Sequence, residues 1–510
     1  MNKQLDVLFV NPNSSAKIYQ DLSENFTAIE VPTWSLLLAQ SCRSIGYGVA
    51  ILDCDAERLS DSDAVKRIEE IKPRLVVFCV YGQNPNSGTT NMSGAISVCK
   101  LLKNHNYTYK TCFVGSHTSA LPKEVLVEDC VDFVLLNEGV YALRSLLMTD
   151  LENDLELVKG IGWKDADKRL MINSPQFTVP LAKMDQDLPG SAWDLLPYKN
   201  KPLDMYRSHF WHANFDYSKR TPAAALYTSL GCQFKCSFCM INILNRVNND
   251  DNVVSSDSNS MRFWSPEFII KEFDRLIQMG VTQVRLSDEM FVLNKKYYEP
   301  LLNMIVERGY GDLLHMWCYS RVDSVNPRFL DLFRRAGIKW FALGVESGNQ
   351  QVRQEVTKGS FKEINIRDVV KQIRDHDINV IANYIYGLDT DTHETMQQTL
   401  DLAMELNTEM YNGYPAQALP GSPLHRLAKQ KGWALPDSYE GYSFHSYECN
   451  PMRTDHLSAA DVLRFRDEAW QKYMTSENYL NLVENKFGVQ ARSNILEMSK
   501  IKLKRKLLGD

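Results

Sequence analysis

Thr228-Ser229-Leu230-Gly231-Cys232-Gln233-Phe234-Lys235-Cys236-Ser237-Phe238-Cys239 places three thiols within eight residues, directly after the short apolar run Ala223 to Tyr227. The run is small, apolar and strand-like, and Gly231 lets the backbone turn sharply behind it, so the cysteines sit on a loop at a strand's end. Thiolates gathered on one loop hold a metal. Three soft ligands suit an iron–sulfur cluster, and a four-iron cubane held by three cysteines keeps one iron open to a ligand that is not protein. Zinc is the rival reading, because His209 and His212 upstream offer a fourth ligand for a closed tetrahedral site. Buried filler is a third reading, which the tight clustering disfavours. A disulfide needs a secretory route and would be strained at this spacing.

Downstream of the cysteines the chain alternates. Strand-like runs fall near Ala223–Tyr227, Gln283–Leu286, His315–Tyr319, Trp340–Leu343, Val380–Ile385 and Gly413–Ala418, with helix-length segments such as Pro266 to Met279 and Asp391 to Leu406 between them. Asp391 with Glu394 three residues on has the spacing of a capping box. Six βα units over 223–420 predict a partial TIM-type barrel with ligands at the C-terminal rim of its strands. The three-cysteine loop falls on that rim. The polar insertion at 245–260 (Asn248-Asn249-Asp250-Asp251-Asn252, then Ser255 to Ser260) is expected to be a mobile loop, either a lid over the site or plain solvated chain.

Upstream, residues 1–148 alternate in the same way, with apolar runs Val7–Val10, Val49–Leu52, Leu75–Val80, Thr111–Val114 and Phe133–Leu136. Continuous apolar strands between helices mean a doubly wound parallel sheet. Ligands of such sheets sit beyond the strands' carboxyl ends. Those ends read Asn11-Pro12-Asn13, Asp53-Cys54-Asp55, Tyr81-Gly82-Gln83-Asn84-Pro85, Gly115-Ser116-His117-Thr118 and Asn137-Glu138-Gly139. They are small, polar and turn-forming, as a large cofactor requires, and no glycine-rich dinucleotide fingerprint is among them. Residues 149–222, rich in glycine and proline, are expected to link and wrap without forming a layer, with Trp193 and Trp211 as packing residues.

Residues 421–510 turn helical, with helices expected over Ala459 to Tyr473 and Tyr479 to Phe487. Tyr439 to Cys449, rich in aromatic and hydrogen-bonding groups, is read either as a polar pocket wall or as surface packing. Cys449 is a candidate reactive thiol. The basic tail Lys500-Ile501-Lys502-Leu503-Lys504-Arg505-Lys506 is expected to end a solvated helix, with contact to a membrane surface as the minority reading.

Over 510 residues, a net charge of −6 with 44% hydrophobic and 10% aromatic content describes a globular chain without the basic excess that nucleic-acid binding would favour. Met1 to Asp6 run straight into a strand-like segment, so no signal peptide is expected, and no apolar run is long enough to span a bilayer. Eleven scattered cysteines fit a reducing compartment, so a cytoplasmic location is expected.

Cys232-x-x-x-Cys236-x-x-Cys239 with Phe238 before the last cysteine resembles the radical S-adenosylmethionine (SAM) signature. The resemblance implies that the three thiolates hold a 4Fe–4S cluster whose open iron binds the amino and carboxylate groups of SAM. An electron from an external donor such as flavodoxin or ferredoxin then cleaves the sulfonium to a 5′-deoxyadenosyl radical. Further resemblances follow in order: Leu286-Ser287-Asp288-Glu289-Met290-Phe291, Trp317 to Asp323, Gly344-Val345-Glu346-Ser347-Gly348 and Tyr386-Gly387-Leu388. They imply Phe238 against adenine, Ser287 near the methionine end, and Arg321, Glu346 and Ser347 near its carboxylate and ribose. Pairing of Arg321 with a scaffold acid is the alternative. Asp288 and Glu289 are candidate catalytic proton acceptors, or a structural acidic pair.

The N-terminal sheet resembles the cobalamin-binding domain found ahead of such radical enzymes, through Gly115 to Pro122 and Asp132 to Gly139. The resemblance assigns Asn11, Asp53, Gln83, Asn84, Gly115, Ser116, His117, Glu138 and Gly139 to the corrin site. Where many relatives carry Asp-x-His this chain has Asp53-Cys54-Asp55, so no histidine reaches cobalt from there. His117 is the nearest substitute, a satisfied loop histidine the commoner reading. Together the two resemblances imply a cobalamin-dependent radical SAM enzyme, class B methyltransferase-like, methylating an unactivated carbon of a small molecule. Rearrangement or cyclisation without methyl transfer is the alternative, and a non-catalytic cobalamin or redox sensor is the reading from a different class.

Overall fold

The apolar runs of the N-terminal half pair as anticipated in a computed structural model, which describes residues 5–104, 109–197, 203, 205–212, 215, 222–250 and 253–510. Strands β1 (Val7–Asn11), β2 (Val49–Asp53), β3 (Leu75–Cys79), β4 (Lys110–Val114) and β5 (Phe133–Leu135) are parallel, in the order β2-β1-β3-β4-β5. Alternation of side chains sends the strands' two faces into two cores. Leu8, Val10, Val76 and Phe78 pack with the helices on one side. Val7, Phe9, Leu75 and Val77 belong to a core continuous with that of the second domain, so the two sheets are one packed body.

The reading of 149–222 as a wrapping segment fails over its first part. β6 (Ile161–Lys164) and β7 (Leu170–Ile172) form an antiparallel hairpin that extends the same sheet beyond β5. Gly162 is demanded by packing: a Cβ there would come within 2.7 Å of Ile172, Leu126 and Val134 side chains. The later part does wrap, and Trp193 Nε1 donates to Glu272 Oε2 at 3.1 Å.

The second sheet starts with β8 (Ala223–Leu226), followed by β9 (Ser229–Leu230), which pairs antiparallel with β10 (Arg262–Phe263). It continues through β11 (Gln283–Leu286), β12 (His315–Arg321), β13 (Ile338–Glu346), β14 (Asn379–Tyr386) and β15 (Met410–Pro415). β8 and β11 to β15 are parallel and neighbours in order, the open six-stranded barrel expected from the sequence. β15 begins three residues earlier than read, because Met410 and Tyr411 are its buried start and Tyr411 stacks on Tyr473 at 4.4 Å. The helix before it is capped one residue later than read. Thr392 and Thr395 make the capping box of His393–Leu406, while Asp391 accepts from the Gly387 and Leu388 amides at 3.0 Å and pins the turn after β14.

The C-terminal helices Ala459–Met474, Glu477–Phe487 and Val489–Lys500 cover one end of the barrel. Phe487 stacks on Trp340 at 5.6 Å, and Trp340 meets Trp211, which meets Trp317, each at 5.3 Å, so four aromatic rings close the barrel floor. The basic tail is not a solvated helix end. Residues 501–505 carry no regular secondary structure, and Arg505, 1% exposed, forks Asp467 at 2.8 and 2.9 Å and donates to Ser446 O. Tyr439 to Cys449 forms a strap across the N-terminal domain, with Ser443 Oγ donating to Ile18 O and Gln20 donating to His445 O. Among the described residues no helix is long and apolar enough to cross a membrane.

Candidate functional site

The cysteine loop is held from beneath by one carboxylate. Asp288, wholly buried at the end of β11, accepts from Thr228 N at 2.7 Å, Thr228 Oγ1 at 2.6 Å and Ser229 Oγ at 2.5 Å. Burial pushes its carboxyl up to about 6. Asn242 staples the loop from the side: its Nδ2 donates to Cys232 O and Phe234 O, and its Oδ1 accepts from Cys232 N. Gly231, at φ +88°, is required because a Cβ would lie 2.2 Å from Ser260 O. Residues 253–260 are therefore a bracket on the loop, not a free lid. Ser255 Oγ donates to Cys239 O and its amide to Gly421 O at 2.8 Å, while Asp251 and Asn252 of the insertion lie outside the described residues.

Each thiol faces an N–H donor. Phe234 N points at Cys232 Sγ at 3.4 Å, the Arg321 guanidinium lies beside Cys236, and Asn86 Nδ2 reaches Cys239 Sγ at 3.7 Å. Burial raises all three thiols to about 12, so ligating iron must displace their protons. The zinc reading needs a fourth ligand from His209 or His212, and neither histidine lies at the thiol loop. His209 and His212 are elsewhere, against Trp211 and Trp317 in a cavity of the barrel interior. Three donor-backed thiols spread along one loop fit the corners of a 4Fe–4S cluster.

The remaining rim residues divide into two groups. Arg321 is committed to the scaffold: it forks Asp323 at 2.7 and 2.6 Å, bonds Ser360, and lies 3.7 Å over the Phe234 ring. The reading of Arg321 as a carboxylate fork is corrected accordingly. Ser347 is likewise spent, its hydroxyl 3.1 Å from Thr399 Oγ1 and accepting from Asn349 N, and the Ser287 hydroxyl accepts from Arg285 Nε. Asp288 faces the loop and not the cavity, so its catalytic reading gives way to a positioning one. Glu346, Glu289 and Phe238 stay available. Glu346 is a non-glycine residue at φ +67°, at the irregularity where β13 slips against β14, with burial raising its carboxyl to about 7. Glu289 has its carboxyl raised to about 8 by burial, and its Oε2 lacks a partner. Phe238 is half-buried between Val352, Leu388 and Ala416 on one side and Leu424 and Met452 on the other. Two orphaned acceptors, Glu289 Oε2 and Gln417 Oε1, suit a cofactor with an ammonium and hydroxyls.

At the N-terminal sheet most side chains assigned to the corrin brace the strand ends. Asp53 accepts from Asn11 Nδ2 and Tyr206 Oη, each at 2.7 Å, and Glu138 pairs with Arg262 at 2.8 Å. Asp55, at the position of the absent histidine, is bonded by Ser15. His117, 1% exposed, has Nδ1 at Thr89 Oγ1 (3.2 Å), while its buried Nε2 lies 3.4 Å from Glu124 without a hydrogen bond, so one ring nitrogen is bonded and the other is not. Gly115 and Gly139 are packing glycines: a Cβ would sit 2.4 Å from Val80 O and 2.7 Å from Val114 Cγ2. Thr118 Oγ1 is buried without a partner beside them, and the crevice between β1 and β3, where strand order reverses, is bounded by small polar residues. That lining fits a group carrying amide and phosphate hydrogen-bonding functions.

The two sites touch. The loop after β3 carries Gln83, whose carbonyl accepts from Arg285 Nη2 at 2.9 Å, and Asn84, which caps its own turn through Asn86 N. It also carries Asn86, bonded to Cys239 and, through Oδ1, to Met240 N at 2.9 Å. Arg285 pairs with Glu30 of the N-terminal domain. Asn242 was missed from sequence because nothing distinguishes it from other loop polars until the fold brings it to the cysteine loop.

A doubly wound domain whose crevice opens on the thiol loop of a partial barrel defines a class of two-cofactor enzymes. The B12 binding domain matches residues 20–147 and the Radical SAM superfamily residues 226–403, between them more than half of the chain. The chain belongs to the cobalamin-dependent radical SAM enzymes, with a 4Fe–4S cluster, SAM and cobalamin as cofactors. It is 25% identical to an uncharacterized methyltransferase of Pyrococcus horikoshii over 83% of each chain. It is 23% identical to the anaerobic magnesium-protoporphyrin IX monomethyl ester cyclase of Rubrivivax gelatinosus, over 93% of this chain and 78% of the cyclase. Its fold is that of the radical SAM methyltransferase TsrM from Kitasatospora setae, solved with tryptophan and a SAM analog (TM-score 0.66, 18% identity, 98% of this chain and 99% of that one). The cobalamin-dependent radical enzyme OxsB shares it too (TM-score 0.66, 16% identity, 98% and 71%).

Proposed function

We propose that the protein methylates an unactivated carbon of a small molecule held between its two sheets. The observation that carries this reading is the direct junction of the sites, with the loop at the corrin crevice bonded to the third cluster cysteine and its neighbour. When bound, the cluster and SAM supply a carbon-centred radical that removes a substrate hydrogen, and cobalamin supplies the methyl group.

The chain's own part is holding and shielding. Asp288 and Asn242 fix the thiol loop, Phe238 offers an aromatic face for adenine, and Glu346 an acceptor for ribose hydroxyls. Tyr319, Asn383 and Tyr414, with Tyr414 Oη donating to Asn383 Oδ1 at 3.2 Å, line the barrel interior on the side facing the N-terminal domain. The aromatic floor and the strap carrying Phe444 and His445 keep water from that space. A one-electron donor of flavodoxin or ferredoxin type and a cytoplasmic setting complete the proposal.

The relative that is a cyclase over 93% of this chain favours cyclisation as the second reading. The test is the fate of SAM in anaerobically reconstituted holoenzyme under reduction. Methylation predicts S-adenosylhomocysteine, with labelled methyl carried to the corrin, alongside 5′-deoxyadenosine. Deoxyadenosine with no S-adenosylhomocysteine would leave cyclisation standing and sink the methylase reading.

A further inference from the structure

Asn86 is the one side chain of the N-terminal domain that reaches a cluster thiol among the described hydrogen bonds. Its amide orientation is set by chemistry: Met240 N can only donate, so it takes Oδ1 at 2.9 Å and leaves the NH₂ group for Cys239 Sγ at 3.7 Å. The loop is gripped from both sides. Ser116, at the end of β4, donates to Pro85 O at 2.5 Å, and Asn84 Oδ1 accepts from Asn86 N at 2.9 Å. From the barrel, Arg285 donates to Gln83 O. Because the loop follows β3 at the point of strand reversal, a ligand in the corrin crevice must lie against it.

We propose that Asn86 is a positioning residue that couples the two cofactor sites: its N–H···S bond raises the reduction potential of the cluster, and filling the corrin crevice changes that potential through the loop. The physical basis is general. A hydrogen bond to a ligating sulfur stabilises the more negative, reduced cluster, and outer partners of this kind tune metal sites. The coupling is reciprocal, so the state of the cluster must also bias corrin binding.

The test is an EPR-monitored redox titration of anaerobically reconstituted full-length protein, with and without added hydroxocobalamin. The variants are Asn86→Ala and the near-isosteric Asn86→Asp, with iron and corrin contents measured in each. At a fixed solution potential the reduced-to-oxidised ratio should fall about tenfold in Asn86→Ala, a shift of about 59 mV for one electron. It should fall further in Asn86→Asp, where a negative charge replaces the donor. The response of the potential to hydroxocobalamin should be present in wild type and lost in both variants. An unchanged potential in either iron-replete variant overturns the proposal. So does loss of iron from both variants with normal corrin content, which would make Asn86 a shape-holder only.

Discussion

Removing the carboxylate of Asp288 should cost the protein its cluster before it costs the fold. Asp288→Ala strands the Thr228 amide and two hydroxyls that now bond at 2.7, 2.6 and 2.5 Å in a wholly buried site. Bonds to a charged acceptor contribute about 1.5–3 kcal/mol each, and an unsatisfied buried N–H costs about 1–3 kcal/mol. Since the loop can relax, the summed loss is about 3–5 kcal/mol, at the top of the range for single substitutions. Asp288→Asn keeps an acceptor for Thr228 N–H, and both hydroxyls can turn a lone pair toward the new NH₂, so it should lose only about 1–2 kcal/mol. Denaturant titration of the apoprotein and iron analysis after reconstitution read both effects: several-fold less iron in Asp288→Ala, near-normal iron in Asp288→Asn. An Asp288→Ala protein with wild-type stability and full iron would refute the positioning role.

Serine at Cys232, Cys236 or Cys239 should each abolish the cluster's visible absorption while corrin binding by the N-terminal domain persists, as checked by spectra after separate loading. Asp391 is buried with its carboxyl raised from 3.8 to about 6, chiefly by desolvation, so folding favours its protonated form. Relative to Asp391→Asn, the wild type should lose about 3 kcal/mol as the pH rises from 4 through 6 and level off above, measured by denaturation at stepped pH. A constant difference would contradict the burial argument. Arg505→Met leaves Asp467 paired with Arg466 at 2.9 Å but removes the donor to the buried Ser446 carbonyl, costing about 1–3 kcal/mol, with faster limited proteolysis near 501–506 as the readout. Cys449, buried and raised to about 11 by desolvation, should resist iodoacetamide in the native protein, as peptide mapping would show.

Ten of the eleven strands of the two parallel sheets were legible to within a residue or two at most ends, because strands buried on both faces must be continuously apolar and their ends must turn. β15 slipped because Met410-Tyr411 follows a helix with no glycine or proline to mark the boundary. The 161–172 hairpin was hidden by its glycines, which read as linker punctuation although Gly162 is a packing requirement. At the site, the cysteines were legible because spacing alone carries their chemistry. Arg321, Ser347 and Asp288 were legible as positions but not as roles, since only the fold shows that Asp323, Thr399 and Thr228 already occupy their polar atoms. Asn86 lies 153 positions from Cys239, beyond the reach of any local pattern.

The proposed function requires the corrin and the cluster to face one another across the 82–87 loop. EPR of the holoenzyme with cobalt as Co(II) and the cluster reduced measures this directly. Mutual splitting or faster relaxation that neither singly loaded protein shows is the expected result. A spectrum equal to the sum of the two would contradict it.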